Sequence, residues 1–596
     1  MSRQNRLILA AILLLINATA TRSSADETPK PTVREVQIDP ISRNFMAPWM
    51  DDFVRPEAVG LKYEEVYFPN TMKETLRGWY IFADGAEKSA NGAETSANGA
   101  DKTVLFCMGN TGNISGMLLY AKLLAEGGVN VMLFDYQGFG GSTGIATAMS
   151  LLTDSLSAFD YLTTTRAIAA DDIGVFGVSL GSPLAIAVAA ERDAGAVAVE
   201  DILLPTSQID AMKHLVPDTL ANRMAIAGLR TVLLPKVEPM NNIPKLKCPL
   251  FLMHGERDWL LPPTGTVKAA KVATVPTRVW IMEGAGHAPE TLEVNELEYA
   301  SQIPRFFREA LNDRMTEPTV TLVSQKKGDE WAATVTVARD QTAVNGQTTA
   351  WQIVVGSADG QFQFARPHAD GQFRINLVTP FEPVHASAIA FEHFDLQADG
   401  TWEPKLSELS QSLAKFRNLQ QGIEQNCRWQ QKSVPIQGSN RSYMVSRRVP
   451  EDWDWFQAQL LPAASIHPGV RPRYAREISQ FYVRLPQEDQ ATNLSIVHSM
   501  LQYLPDDPDS YYQLDNAGFQ LKLVDHAIAR CLTCLARQQF SDGQLNDACS
   551  TLRRAIHVAH PMSPLKSANV DSLTAESDFD AVVGKKGGSS QIANRR

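Results

Sequence analysis

The chain has 596 residues, 44% of them hydrophobic and 20% charged, and a net charge of −11. That length exceeds what one hydrophobic core supports and points to roughly two to four domains. An acidic balance without a long basic run argues against a nucleic-acid partner and against docking on an anionic membrane surface.

The chain opens with Arg3 and Arg6, followed by the apolar stretch Leu7 to Ile16 and the small residues Ala18, Thr19 and Ala20. A positive start, an apolar run too short to span a bilayer comfortably, and small residues at a cleavage spacing predict a signal peptide over residues 1–20. The expected location is secreted or periplasmic, with no transmembrane span in the mature chain; an uncleaved N-terminal anchor is the alternative. Residues 21–57 read as an N-terminal extension without periodicity. YEEVYFPN (63–70) and LRGWYIFAD (76–84) read as two strands. Residues 85–102, which carry SANGA twice, read as a surface loop.

From there, short apolar runs alternate with helical patterns. TVLFCMG (103–109), VNVMLFDY (129–136), IGVFG (173–177), AVAVED (196–201), CPLFLMHGE (248–256) and RVWIMEGAG (278–286) read as strands. Between them lie helices such as MSLLTDSLSAFDYLTT (149–164), which puts Leu152, Leu156, Phe159 and Leu162 on one face. This alternation predicts an α/β fold with a mostly parallel sheet covered by helices on both faces. Residues 203–246 interrupt the rhythm and form a candidate cap. Over 317–402, period-two strands separated by KKGD and ADG turns predict a small β-sandwich. Helical patterns dominate 405–560, and residues 561–596 read as a disordered tail.

Six cysteines in a chain of this length are not a disulfide framework; Cys531 and Cys534 form CxxC in a helical stretch, expected as buried thiols or one local disulfide. No metal constellation is present, since His557 and His560 lack further ligands, and no metal or cofactor is expected. GFGGSTG lacks the lysine a phosphate-binding loop needs.

Gly177-Val178-Ser179-Leu180-Gly181 matches GxSxG between an apolar strand and a helix. A nucleophile elbow needs that setting, because its serine occupies a strained strand-to-helix turn. A serine hydroxyl also needs a histidine to take its proton and a carboxylate to orient the histidine. Asp258 and His287 follow in that order, each after a strand, where open parallel sheets build their sites. Glu256 and Glu200 are rival acids. His254 reads as a structural hydrogen-bonder and His214 as a solvated residue of the cap.

With MGNTGN (108–113), FDYQGFGGSTG (134–144), GVSLG (177–181), HGERDWLLP (254–262) and GAGH (284–287), residues 58–313 resemble the α/β-hydrolase superfamily of serine hydrolases. The likeness is to the esterase and thioesterase branch with an HGNxGN oxyanion loop. It implies Ser179 as nucleophile, Asp258 as acid, His287 as base, and the backbone N–H groups of Asn110 and Leu180 as oxyanion hole. One departure is Met108, where the family usually has histidine. The expected activity is cleavage of a carboxylic ester or thioester, small-molecule or acyl, through an acyl-enzyme. A serine peptidase is the enzymatic alternative. A catalytically idle binding or scaffold protein is the alternative from another class, and residues 317–596 are the expected seat of a protein or surface partner.

Overall fold

The structure is a computed structural model. Its described residues are 38–39, 42, 46–50, 52, 54–84, 86–88, 94–96, 102–212, 220–338, 348–435, 442–450, 453–483, 493–504 and 525–559. The expected signal peptide and tail, most of the 85–102 loop, and His214 lie outside them. Among the described residues no helix is long and apolar enough to cross a membrane. The chain divides into two compact units, Met1–Lys405 and Leu406–Arg596.

The first unit is built on eight strands: β1 (Tyr63–Pro69), β2 (Thr75–Ile81), β3 (Thr103–Cys107), β4 (Asn130–Phe134), β5 (Ile173–Val178), β6 (Ala196–Glu200), β7 (Leu250–Gly255) and β8 (Thr277–Met282). Their order across the sheet is β1-β2-β4-β3-β5-β6-β7-β8. From β4 to β8 every neighbouring pair is parallel, while β2 runs antiparallel to both β1 and β4. Every residue of β3 to β7 is buried, so both faces are covered. That is why these strands read as continuous apolar runs rather than as alternation.

The helices of this unit are α1 (Leu118–Glu126), α2 (Ala148–Thr164), α3 (Gly181–Arg192), α4 (Pro205–Met212), α5 (Leu220–Gly228), α6 (Thr264–Val272), α7 (Glu290–Val294) and α8 (Glu296–Ala310), with α4 and α5 in the 203–246 segment. Helix α2 begins at a capping box formed by Thr147 and Ser150, which satisfies backbone donors of its first turn. Its buried face includes Leu152, Phe159 and Leu162, whereas Leu156 is half-buried and Ser155 takes the inner position. Strand order and helix placement make this an α/β-hydrolase fold.

The strands over 319–391 form two small sheets around Val335, Val337, Trp351, Ile353 and Val355. This sandwich belongs to the same compact unit and is seated on α8 and β8. Trp280 of β8 meets Phe391 edge-on, with ring centroids 6.0 Å apart. The buried carboxylate of Glu298 accepts the backbone N–H groups of Glu392 at 3.1 Å and His393 at 3.0 Å. Gln302 donates its amide to the Ala390 carbonyl at 2.7 Å.

The second unit is mostly helical, around a core that includes Leu413, Phe416, Tyr474, Ile478, Phe481 and Leu532. In this unit, helix Asp525–Ser541 carries Cys531, buried, and Cys534, partly buried, with no disulfide between them. It departs from the helical expectation at Cys427–Pro435 and Ser442–Pro450, which pair as an antiparallel ladder. These strands are rich in Gln, Lys, Arg and Ser, so they carry no apolar period to announce them.

Glu298→Ala leaves two partly buried N–H groups without their acceptor, and should lower unfolding free energy by about 1–3 kcal/mol in chemical denaturation. Glu298→Gln keeps one acceptor oxygen and should cost less; equal stability of all three proteins would show that this carboxylate does not hold the sandwich.

Candidate active site

Strand β5 ends at Val178 and α3 starts at Gly181, so Ser179 and Leu180 make the whole turn. Ser179 has φ +53°, a left-handed conformation costing a residue with a side chain roughly 1–2 kcal/mol. Several contacts hold it there. Its N–H donates to the Glu200 carbonyl at 2.9 Å, and its own carbonyl accepts the Ser182 hydroxyl at 2.6 Å. The glycines on either side are required by packing. A Cβ at Gly181 would sit 2.0 Å from the Cys107 carbonyl oxygen, and one at Gly177 would sit 2.3 Å from the Gly181 carbonyl oxygen.

The structure brings Ser179, His287 and Asp258 together. His287 Nε2 lies 3.0 Å from Ser179 Oγ, and its Nδ1 lies 2.7 Å from Asp258 Oδ2. A carboxylate only accepts, so Nδ1 carries the proton and the Nε2 lone pair faces the serine hydroxyl. Asp258 Oδ1 accepts the N–H groups of Leu260 and Leu261, each at 2.8 Å, which fixes the carboxylate plane. The Asp258 side chain is fully buried, whereas His287 keeps 15% of its side chain exposed and Ser179 is partly exposed. The Ser179 end of this hydrogen-bonded chain therefore opens to solvent, and the Asp258 end does not.

The electrostatics follow from that burial. Burial alone would raise the Asp258 carboxyl, but the hydrogen bonds from His254 and His287 hold it well below the usual carboxylate range. Burial would lower the His287 imidazole, yet the Asp258 bond and the charges of Asp201 and Asp258 lift it above its ordinary value.

His254, buried on β7, points Nε2 at the Leu261 carbonyl (2.9 Å) and at Asp258 Oδ2 (3.3 Å). Both are acceptors, so this nitrogen bears a proton and braces the carboxylate. Neither rival acid bonds the His287 ring. Glu256 accepts the Gly284 N–H at 2.7 Å, and the Glu200 carboxylate is bonded by Tyr299 at 2.8 Å and by Thr291. The carboxylate that sequence reasoning missed is Asp201, one residue beyond β6, whose Oδ2 lies 3.2 Å from His287 Nδ1. It follows a strand at the carboxyl end of the sheet just as Asp258 does, but Glu200 beside it offers the same signal, so residue type and position alone do not single it out.

The 108–113 loop passes directly over the elbow: a Cβ at Gly109 would lie 3.9 Å from that of Ser179. Met108 is buried, and its carbonyl accepts the Tyr136 hydroxyl at 3.1 Å. The Asn110 carbonyl accepts the Ala47 N–H at 2.9 Å, and the Gly112 carbonyl accepts that of Trp49 at 3.0 Å. Main-chain and tyrosine contacts thus secure the loop with Met108 buried beneath it. Leu180 sits at the start of α3, beside Ser179. Among the described residues, Asp201, Asp258 and His287 offer donor atoms within 4.8 Å of one another, close enough to share an ion. Those atoms already bond one another and the N–H groups of Gly255, Leu260, Leu261 and Ala288.

No protein-family profile matches the chain. The chain is similar to the uncharacterized Mycobacterium tuberculosis protein Rv2307c, 28% identical over 191 residues that make up 32% of this chain and 64% of that protein. It is also similar to the uncharacterized protein YfhR of Escherichia coli O157:H7, 28% identical over 42% of this chain and 82% of that one. The human alpha/beta hydrolase domain-containing protein 17B is 26% identical over 34% of this chain and 65% of its own. This chain therefore spans under two thirds of the length of the mycobacterial and human relatives. Among solved structures, the Pyrococcus furiosus esterase Pf2001 aligns over 47% of this chain and all of its own, with 21% identity and a TM-score of 0.35.

Burial and the neighbouring Asp201 charge push the Glu200 carboxyl up to about 7. An acid raised above its unfolded value near 4.3 binds more protons folded than unfolded, so it removes stability as pH rises from about 4.5 to 7. Glu200→Gln should flatten that decline in denaturation series at pH 5, 6 and 7. Parallel curves for wild type and variant would contradict the assignment.

Proposed function

We propose that this protein is a serine hydrolase that cleaves a carboxylic ester or thioester through an acyl-enzyme. The observation that carries this reading is the continuous chain from Ser179 Oγ through His287 to Asp258, at 3.0 and 2.7 Å, ending at a partly exposed hydroxyl. His287 Nε2 takes the serine proton as Oγ attacks the acyl carbon, and Asp258 stabilises the imidazolium through Nδ1–H. The N–H groups of Asn110 and Leu180 hold the tetrahedral oxyanion, at about 3 kcal/mol for each donor. His287 then passes the proton to the departing alcohol or thiol, the C–O or C–S bond breaks, and Ser179 is left acylated. Water, deprotonated by the same nitrogen, releases the acid and restores the hydroxyl.

The first turn of α3 adds a helix dipole that favours the oxyanion, and the Tyr136 bond to Met108 supports an ordered loop without the family's histidine. The apolar, Arg-flanked N-terminus supports export to a secreted or periplasmic location.

Initial rates on a series of nitrophenyl esters, from acetyl to longer acyl chains, test the reading. Ser179→Ala and His287→Ala should each lower kcat by about 10⁶-fold with the fold intact by circular dichroism. Aminoacyl amides, run beside the esters, should turn over more slowly; faster amide cleavage would make the protein a peptidase. Undiminished ester hydrolysis by Ser179→Ala would overturn the serine mechanism.

A further inference from the structure

We propose that Asp201 is a second carboxylate partner of His287, a positioning residue that shares the Nδ1–H with Asp258 and ties together the two loops carrying acid and base. This rests on the hydrolase reading for its catalytic consequence, but not for its geometry.

Three observations carry it. The first is distance and chemistry. His287 Nδ1 has one proton and faces Asp258 Oδ2 at 2.7 Å and Asp201 Oδ2 at 3.2 Å. Both side chains are fully buried, so no solvent competes for that proton on the carboxylate side. The second is how Asp201 is held. Its N–H donates to the Met253 carbonyl at 2.9 Å, and its φ of +50° is a strained conformation for a residue with a side chain. The sheet register, with Glu200 beside Met253, brings the end of β6 against β7 and aims the side chain at the ring. The third is what else the carboxylate grips. Oδ1 accepts the Gly255 N–H at 3.2 Å, where the acid loop begins, and Oδ2 accepts the Ala288 N–H at 2.6 Å, one residue after the base. An ionised carboxylate has about four acceptor sites, so these bonds leave Oδ2 free to receive Nδ1–H as well.

The sheet therefore presents an acid after each of two adjacent strands, Asp201 after β6 and Asp258 after β7, and both reach one nitrogen. Of the other titratable groups, Glu200 also acts on the imidazole, His254 sits behind Asp258, and Glu290 of α7 lies against Gly286. In this set Asp258 is braced by His254 and two loop N–H groups, and bears the shorter bond. Asp201 adds a second negative charge at 3.2 Å, whose effect is largest when the ring is protonated. A purely structural loop tie would have the same contacts to Gly255 and Ala288, so the test must read the charge.

Two readouts do so. In low-field proton NMR, the Nδ1–H resonance that disappears in His287→Ala reports the ring titration whether or not any substrate turns over. Asp201→Asn should lower its midpoint by about 1 pH unit. In Asp258→Ala the resonance should persist, because Asp201 then takes the proton alone; this arm stands even if Asp201→Asn does not fold. In ester hydrolysis, Asp258→Ala should lose about 10²-fold in kcat, and the double variant Asp201→Ala/Asp258→Ala about 10⁴-fold, as expected when no carboxylate orients the histidine. For Asp201→Asn the acidic limb of kcat/KM should move with the NMR midpoint while KM stays within about twofold. An unchanged midpoint in Asp201→Asn, or loss of the resonance in Asp258→Ala, would overturn the proposal. Absence of hydrolysis by the wild type would overturn the hydrolase reading instead, leaving the NMR arms to decide on Asp201.

Discussion

The contact on which the site depends is the seating of the first turn of α3 on the end of β3. Gly181 lies so close to the Cys107 carbonyl that no side chain fits between them. Helix α3 can therefore begin only two residues after β5 ends, and the chain must reverse through a left-handed Ser179. The strain in that residue is held by hydrogen bonds from its N–H to β6 and from Ser182 to its carbonyl. The same close approach brings the 108–113 loop over the serine. The position of Ser179 and that of the 108–113 loop are thus one packing decision, made by two glycines and a strand end.

Around the histidine the constraint is electrostatic. Burying carboxylates is costly unless each lone pair finds a donor, and the donors here are backbone N–H groups, hydroxyls and two imidazoles. Asp258 is the best supplied, with two loop N–H groups and both rings near it, and its carboxyl is held far down. Glu200, bonded only by hydroxyls, is pushed up instead. Glu200 and Asp258, within one small volume, are thus pushed in opposite directions by what each can accept, and the histidine is oriented by Asp258, with Asp201 beside it.

Much of this was legible in the sequence because the site uses strand ends. Ser179, Asp258 and His287 each follow a continuous apolar run, and such runs mark strands buried on both faces. Asp201 was not legible, although it also ends a strand, because AVAVED offers two acids side by side. Only the left-handed turn at the second sends one into a hydroxyl pocket and the other to the histidine, and nothing in the residue type announces that turn. The sandwich was visible through its period-two strands, but its seat was not: Glu298 looks like any acid of an amphipathic helix until its carboxylate meets the backbone of residues 392 and 393. The pair of strands over 427–450 was hidden by polar composition, since backbone pairing needs no apolar pattern.

The central claim is that Ser179 is a nucleophile made so by His287, and covalent capture tests it most directly. Incubation with a fluorophosphonate, followed by intact-mass and peptide mapping, should give one adduct per chain, on the peptide containing Ser179. That adduct should be absent after unfolding and slowed by orders of magnitude in His287→Ala. An unmodified Ser179 in folded protein, or an adduct on another residue at the same rate, would contradict the account.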